Sequence, residues 1–134
     1  EGLKLDTSSG YPWNKGVEKV KSDFIKVTRA PNGEILSCVI DKRVLDKVEE
    51  NCELRRSGVV PFTLFSDCCK DERRKLAKRV QFGGTRIFCM SPIDYTISCR
   101  QNYLHFGAAF QTGRFDFFNA IGVSRYGPHW GQLA

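Results

Sequence analysis

At 134 residues, 41 % of them hydrophobic and 27 % charged, the chain has the balance of a folded domain with a real core rather than of a disordered polar tract. No apolar run approaches the roughly 20 residues that a membrane-spanning helix needs, and no signal peptide opens the chain. The net charge is +6, a basic surplus that points to anionic partners, with polyphosphate the usual one.

The first residue is Glu1 rather than Met, which reads as a processed chain or a piece of something longer. Leu3-Lys4-Leu5-Asp6 leads into Thr7-Ser8-Ser9-Gly10-Tyr11-Pro12-Trp13. Hydroxyl residues, then Gly, then aromatic-Pro-aromatic predict an exposed loop rich in hydroxyl and backbone N–H donors, able to lie along a phosphate backbone. The plainer alternative is a capping turn with Tyr11 and Trp13 packed into the core. Residues 14–29 are charged, and Val17, Val20, Phe24 and Ile25 fit one helical face. Ala30-Pro31-Asn32-Gly33-Glu34 predicts a turn, after which Ile35, Leu36, Val39 and Ile40 resume an apolar run. Asp41 suits a helix N-cap; Val44, Leu45, Val48 and Cys52 line a stripe, and Arg55, Arg56 and Gly58 suit a C-terminus. Asp41 and Asp46 have the D-x-x-x-x-D spacing of a metal-dependent polymerase, but on a helix they point apart and read as a solvated face.

Residues 59–65, V-V-P-F-T-L-F, are β-branched and aromatic and predict a strand interrupted by Pro61. Residues 69–86 follow, with seven basic residues (Lys70, Arg73, Arg74, Lys75, Lys78, Arg79, Arg86) against Asp71 and Glu72, a formal +5 that leaves +1 for the rest of the chain. The basic residues are not interleaved with acids at helical spacing and the run ends in Gly83-Gly84, so it predicts an anion-facing loop rather than a salt-bridged helix face. Residues 85–90 read as a second strand, pairing with the first as a ribbon that carries the basic loop. Ser91-Pro92 opens a helix that Ile93, Ile97, Arg100, Leu104 and Ala108 continue to about Gly113. Tyr95, Tyr103, His105, Phe106 and Phe110 ring it, which predicts burial over much of its surface and a core role for His105. The remainder is aromatic and punctuated by Gly122, Gly127-Pro128 and Gly131, and its last residues look like the start of an element. The six cysteines have no C-x-x-C pair and read as reduced, mostly buried thiols.

Together these pieces resemble the RNA-directed RNA polymerases of picorna-like positive-strand RNA viruses, most of all the invertebrate-infecting members. Thr7-Ser8-Ser9-Gly10-Tyr11-Pro12 looks like motif G (about 6–13). Lys70-Asp71-Glu72-Arg73-Arg74 with Thr85-Arg86-Ile87-Phe88 looks like motif F (about 69–88), and this K-D-E-x-R…T-R-[ILV] order is the more specific of the two. The helix at 91–110 and the segment from Ala120-Ile121-Gly122 to Trp130 match the run between motifs F and A. The resemblance implies one α+β fragment, 1–134, of the fingers of a right-hand polymerase, ending just before the palm's motif A. It implies that Lys70, Arg74, Lys78 and Arg86 bind the incoming NTP, with Glu72 holding them in register through ion pairs. Thr7, Ser8, Ser9 and Gly10 would guide the template RNA. Gly84 stands where many members carry a Lys, and the loop is about one residue longer, which leaves Lys78 and Arg79 both open for one position.

Two-metal nucleotidyl transfer needs carboxylates to hold both ions. No G-D-D occurs, and the D-x-x-x-x-D lies ahead of motif F, in the wrong order. The fragment is therefore expected to hold phosphate but perform no chemistry alone. Mg2+ or Mn2+ is implied for the complete enzyme, on residues outside this chain. The implied partners are template and nascent RNA, NTPs, and the palm and thumb of the same polymerase. The implied location is the host cytoplasm, in membrane-associated replication complexes, without direct membrane insertion. The competing readings are a stand-alone basic module for single-stranded RNA, with Phe82, Phe88 and Tyr95 as stacking surfaces, and an interaction domain for an acidic partner.

Overall fold

The computed structural model of this chain describes residues 3–73, 75–80, 82–113, 116, 120, 121, 123, 126, 130 and 131. The architecture is α+β, as expected. After a short 3-10 turn at Trp13–Lys15 come α1 (Lys21–Phe24), β1 (Ile25–Arg29), β2 (Ile35–Ile40), α2 (Lys42–Arg56), β3 (Ser66–Cys69), α3 (Leu76–Arg79), β4 (Ile87–Met90) and α4 (Ile93–Thr112). The strands form two antiparallel pairs, β1 with β2 and β3 with β4. The chain divides into two compact units, Glu1–Ile97 and Ser98–Ala134, with the division inside α4.

In the first unit, β1 and β2 run in register from Ile25 opposite Ile40 to Thr28 opposite Ser37, with a bulge before Arg29. The turn between them closes because the Asn32 side chain accepts the Glu34 N–H at 3.0 Å and Gly33 takes φ +86°. The segment 25–29, expected as helix, is therefore a strand, and only one turn before it is helical. Its hydrophobic residues satisfied a helical spacing locally, but their backbone groups pair with the strand beyond the turn. Val17 sits almost fully in solvent.

α2 is the helix its sequence predicts. The Asp41 carboxylate accepts the Arg43 N–H at 2.9 Å at the first turn. At the other end Gly58 takes φ +81°, its N–H donates to Arg55 O at 3.0 Å and that of Val59 to Leu54 O at 2.9 Å. That is a Schellman end, satisfying carbonyls the helix leaves open. Val44 and Val48 face the core, Leu45 is 43 % exposed, and the third buried position on the stripe is Asn51 rather than an apolar residue.

The core comprises Phe24, Ile25, Val44, Val48, Ile93 and Ile97, with Leu3, Leu5, Trp13, Val27, Ile40 and Cys52 packed against it. The Trp13 ring meets Phe24 edge to face at 5.5 Å. A polar bolt crosses this core. The Asp94 carboxylate, in the first turn of α4, accepts Trp13 Nε1–H at 2.7 Å and Asn51 Nδ2–H at 3.2 Å. It joins the N-terminal segment, α2 and α4 and supplies the partners a buried carboxylate requires.

The ribbon exists, but its first strand is Ser66–Cys69 and not the segment 59–65. The partner strand β4 is four residues long, and its register places Ser66 opposite Met90 and Cys69 opposite Ile87. Pro61, which offers no N–H to a ladder, is buried outside the pairing. In α4 the residues buried are Ile93, Asp94, Ile97 and Ser98; residues 101–106 are exposed, His105 among them. The expected burial of this helix thus holds only for its first turn and a half. In the second unit Phe106 and Phe110 stack at 6.0 Å and Asn102 Nδ2–H donates to Ser98 O at 2.8 Å. The cysteines are unpaired, as expected, but none is buried: Cys38, Cys69 and Cys89 are exposed, and Cys52, Cys68 and Cys99 are half-buried. Most of residues 114–134 lies outside the described residues; of the expected final element, Trp130 and Gly131 are described and are helical.

Candidate functional site

The basic loop begins where the β3–β4 ladder ends. One further backbone bond, Lys70 N–H to Arg86 O at 2.9 Å, brings the two stalks of the loop together. Glu72 then closes the base. Its carboxylate accepts from Lys70 Nζ at 2.8 Å, from Arg86 Nε–H at 3.1 Å and from Arg86 Nη2–H. The Arg86 contact is the two-pronged guanidinium–carboxylate pairing that fixes orientation as well as distance. These bonds, first those from Arg86 and then those from Lys70, hold the Glu72 carboxyl down at about 2. The same pairing pushes the Arg86 guanidinium further up. The Arg86 side chain remains 60 % exposed, so it is tethered without being hidden.

Beyond the clamp, Lys75 leads into the single turn of α3 and Gly83 takes φ +72° on the return. Lys78 lines a depression of about 330 Å3 with Glu72, Arg73 and Lys75, three cations against one carboxylate already engaged. Phe82 and Val80 are exposed in the same loop. Arg74 and the side chain of Arg79 lie outside the described residues.

The N-terminal loop is more tightly built than its sequence suggests. Ser9 and Gly10 are buried, not exposed. Ser9 accepts Ile93 N–H on its carbonyl at 2.8 Å and donates both its N–H and its hydroxyl to Lys19 O at 3.0 Å. Gly10 takes φ +75° and lies so close to the start of α4 that a Cβ would stand 2.4 Å from Ser91 O. Trp13 packs on the core, and Tyr11 is half-buried beside it. Thr7 is exposed and Ser8 half-buried; the Ser8 hydroxyl accepts Gly10 N–H at 3.2 Å. The loop's donors therefore serve largely to fold it back, which residue types alone do not reveal.

The structure brings this loop and the ribbon to one cleft. Thr7, Ser8 and Lys21 line a space of about 420 Å3 with residues 88–91, the end of β4 and the residue after it. Lys21 was not singled out from sequence. It reaches the loop because residues 7–9 run antiparallel to 19–21, with Lys21 N–H donating to Thr7 O at 3.0 Å and an isolated bridge between Ser8 and Val20. A lysine two positions after another in a charged stretch carries no local mark of that pairing. Asn51 could have been noticed, as a polar residue on the Val44–Val48 stripe.

The carboxylates with metal-like spacing are otherwise engaged: Asp41 caps α2 and pairs with Arg43, and Asp46 pairs with Lys42 at 2.7 Å. Among the described residues no group of three or more His, Cys, Asp or Glu could hold a metal ion.

Comparison with known proteins gives a consistent result. The family described as viral RNA-dependent RNA polymerase matches the chain over residues 1–134. The genome polyprotein of Rice tungro spherical virus (strain Vt6) is 30 % identical over 135 residues, 98 % of this chain and 4 % of that polyprotein. The genome polyprotein of Deformed wing virus is 38 % identical over 81 residues, 60 % of this chain and 3 % of its own length. The replicase polyprotein of Cricket paralysis virus is 31 % identical over 136 residues, 100 % of this chain and 8 % of its own length. The chain thus spans 3 to 8 % of the length of these relatives. No solved structure matches it.

Proposed function

The chain belongs to the viral RNA-dependent RNA polymerases, and we propose that it guides template RNA and lines the channel by which nucleoside triphosphates enter such an enzyme. The observation that carries this reading is the Glu72 clamp. Cations that must receive a polyphosphate have to be held in place while their heads stay accessible. Glu72 does this for Lys70 and Arg86 at the loop base. A triphosphate arriving there can take N–H groups from both, its own negative charge replacing part of the carboxylate's role. Lys78, in its depression with Arg73 and Lys75, extends the same surface. Arg74 joins it by its motif position.

For the template, Thr7 and Ser8 are the residues of the N-terminal loop that face open space in the cleft. Ser9 and Gly10 would act by setting the loop's course. Contacts of this sort read backbone and not sequence, which suits an enzyme that copies any RNA. The Mg2+ or Mn2+ of two-metal transfer has no donor set among the described residues. Its carboxylates would come from the palm, the remaining partner alongside the thumb. The enzyme would act in the host cytoplasm in membrane-associated complexes. Among the described residues no helix is long and apolar enough to cross a membrane.

Arg86→Ala in the complete polymerase tests the reading. The apparent KM for nucleotide should rise by roughly tenfold or more while template affinity changes little. Unchanged nucleotide kinetics would remove Arg86 from the channel.

A further inference from the structure

Four consecutive residues at the start of α4 receive the N-terminal loop. Gly10 lies against Ser91 and Pro92. Ser9 O accepts Ile93 N–H at 2.8 Å, and Asp94 Oδ1 accepts Trp13 Nε1–H at 2.7 Å. The second oxygen of that carboxylate, Oδ2, accepts Asn51 Nδ2–H from α2 at 3.2 Å. Each oxygen thus has its own donor, 81 and 43 residues away in sequence, and the two bonds together fix the plane of the carboxylate. Asp94 and Asn51 are 5 % and 3 % exposed. Burying a carboxylate is costly, and an apolar residue would fill the space without that cost. An apolar residue could not, however, fix the direction of the Trp13 indole. Tyr11, Pro12 and Trp13 border, with Asp94 and Phe62, an opening of about 580 Å3, so on that side the turn faces space rather than packing. The turn continues into the residues before it, since Asn14 N–H donates to Gly10 O at 3.0 Å and Gly10 N–H to the Ser8 hydroxyl at 3.2 Å.

We propose that Asp94 is a positioning residue for template RNA. Aimed by Asn51, it holds Trp13 and through it the turn at residues 10–14, which sets where Thr7 and Ser8 stand. The role rests on the template-guiding reading above and adds to it two residues, Asp94 and Asn51, that act without touching RNA. The nucleotide side is anchored separately, by the β3–β4 ladder and the Glu72 clamp. Template engagement therefore depends on this tie, and nucleotide affinity does not.

The test uses the complete polymerase, well below the melting midpoint of each variant, and reads affinity for a short single-stranded RNA beside the nucleotide KM at saturating RNA. Trp13→Phe keeps a ring against Phe24 and removes the N–H; Asp94→Leu removes the acceptor. Each should weaken RNA binding roughly tenfold, the loss expected for a hydrogen bond to a charged group. The double variant should be no worse than either single one, and nucleotide KM should stay within about twofold. Asp94→Asn should bind RNA nearly as the unaltered enzyme does. Its amide oxygen still accepts the indole N–H, and the Asn51 amide can turn its own oxygen to the new N–H groups. A lowered melting midpoint with unaltered RNA binding would make the tie purely structural and overturn the proposal. Additive losses, a parallel loss of nucleotide affinity, or a loss as large with Asn as with Leu would overturn it too. If Asp94→Leu does not fold, Trp13→Phe decides alone. Thr7→Ala combined with Ser8→Ala separates this result from failure of the parent reading. If that pair weakens RNA binding while Trp13→Phe does not, only the Asp94 assignment falls. If neither does, the template-guiding reading falls as well.

Discussion

At the scale of single residues, Glu72 decides what the basic loop presents. Its folded-state carboxyl titrates at about 2 against an ordinary 4.5, chiefly through Arg86 and secondarily through Lys70. A depressed carboxyl contributes stability that is fully present above its unfolded value. That contribution fades as pH falls through the window from 4.5 to about 2. The clamp is therefore closed throughout the physiological range and opens only in strong acid. Carboxyl-carbon NMR of the chain should place the Glu72 midpoint near 2, and Arg86→Ala should move it upward by more than Lys70→Ala does. A midpoint at 4.5 in the unaltered chain would mean that the ion pairs do not persist in solution. On the proposed reading Glu72 would compete with phosphate for the same two cations, which it holds at the base of the loop through its ion pairs.

At the scale of elements, the N-terminal loop shows how docking and conformation combine at one position. Gly10 and Gly33 both have positive φ, which costs a residue bearing Cβ about 1–2 kcal/mol. A Cβ at Gly33 meets open space, whereas at Gly10 it overlaps Ser91 O and the Pro92 backbone. Gly10→Ala should therefore lower the denaturation midpoint of the chain clearly more than Gly33→Ala, which carries the backbone cost alone. Equal losses would show that the loop lifts readily from the start of α4. The same loop marks the boundary of what could be read from sequence. α2 was legible because its signals are local: Asp41 before it, Val44 and Val48 along it, Gly58 after it. The ribbon was legible as a ribbon because the basic run had to be connected by something extended. Its register was not, since strong β formers at 59–65 outbid Ser66–Cys69 until pairing with Ile87–Met90 is known. The burial of Ser9 and Gly10 depends on residues 91–93, and β1 depends on β2; such contacts leave no trace in the residues of one segment.

At the scale of the whole molecule, charge is distributed by pairing as much as by count. The formal +5 of residues 69–86 accounts for nearly all of the net +6. Along α2, by contrast, Lys42 pairs with Asp46, Lys47 with Glu50 and Arg56 with Glu53. These exposed pairs add little stability, but they cancel the field of that helix at a distance. An RNA strand should therefore meet the loop first. For the isolated chain, affinity for single-stranded RNA should fall linearly on a log–log salt plot. Replacing Arg73, Lys75 and Lys78 together by Gln should flatten that slope by about 2, the sum expected for three single-strand phosphate contacts. The matching replacement of Lys42, Lys47 and Arg56 should change it by less than half as much, because those cations release few counterions that their own carboxylates had not already displaced. Equal effects from the two triplets would mean that RNA is held by a diffuse positive surface, and the loop would lose its claim to be the anion-binding face.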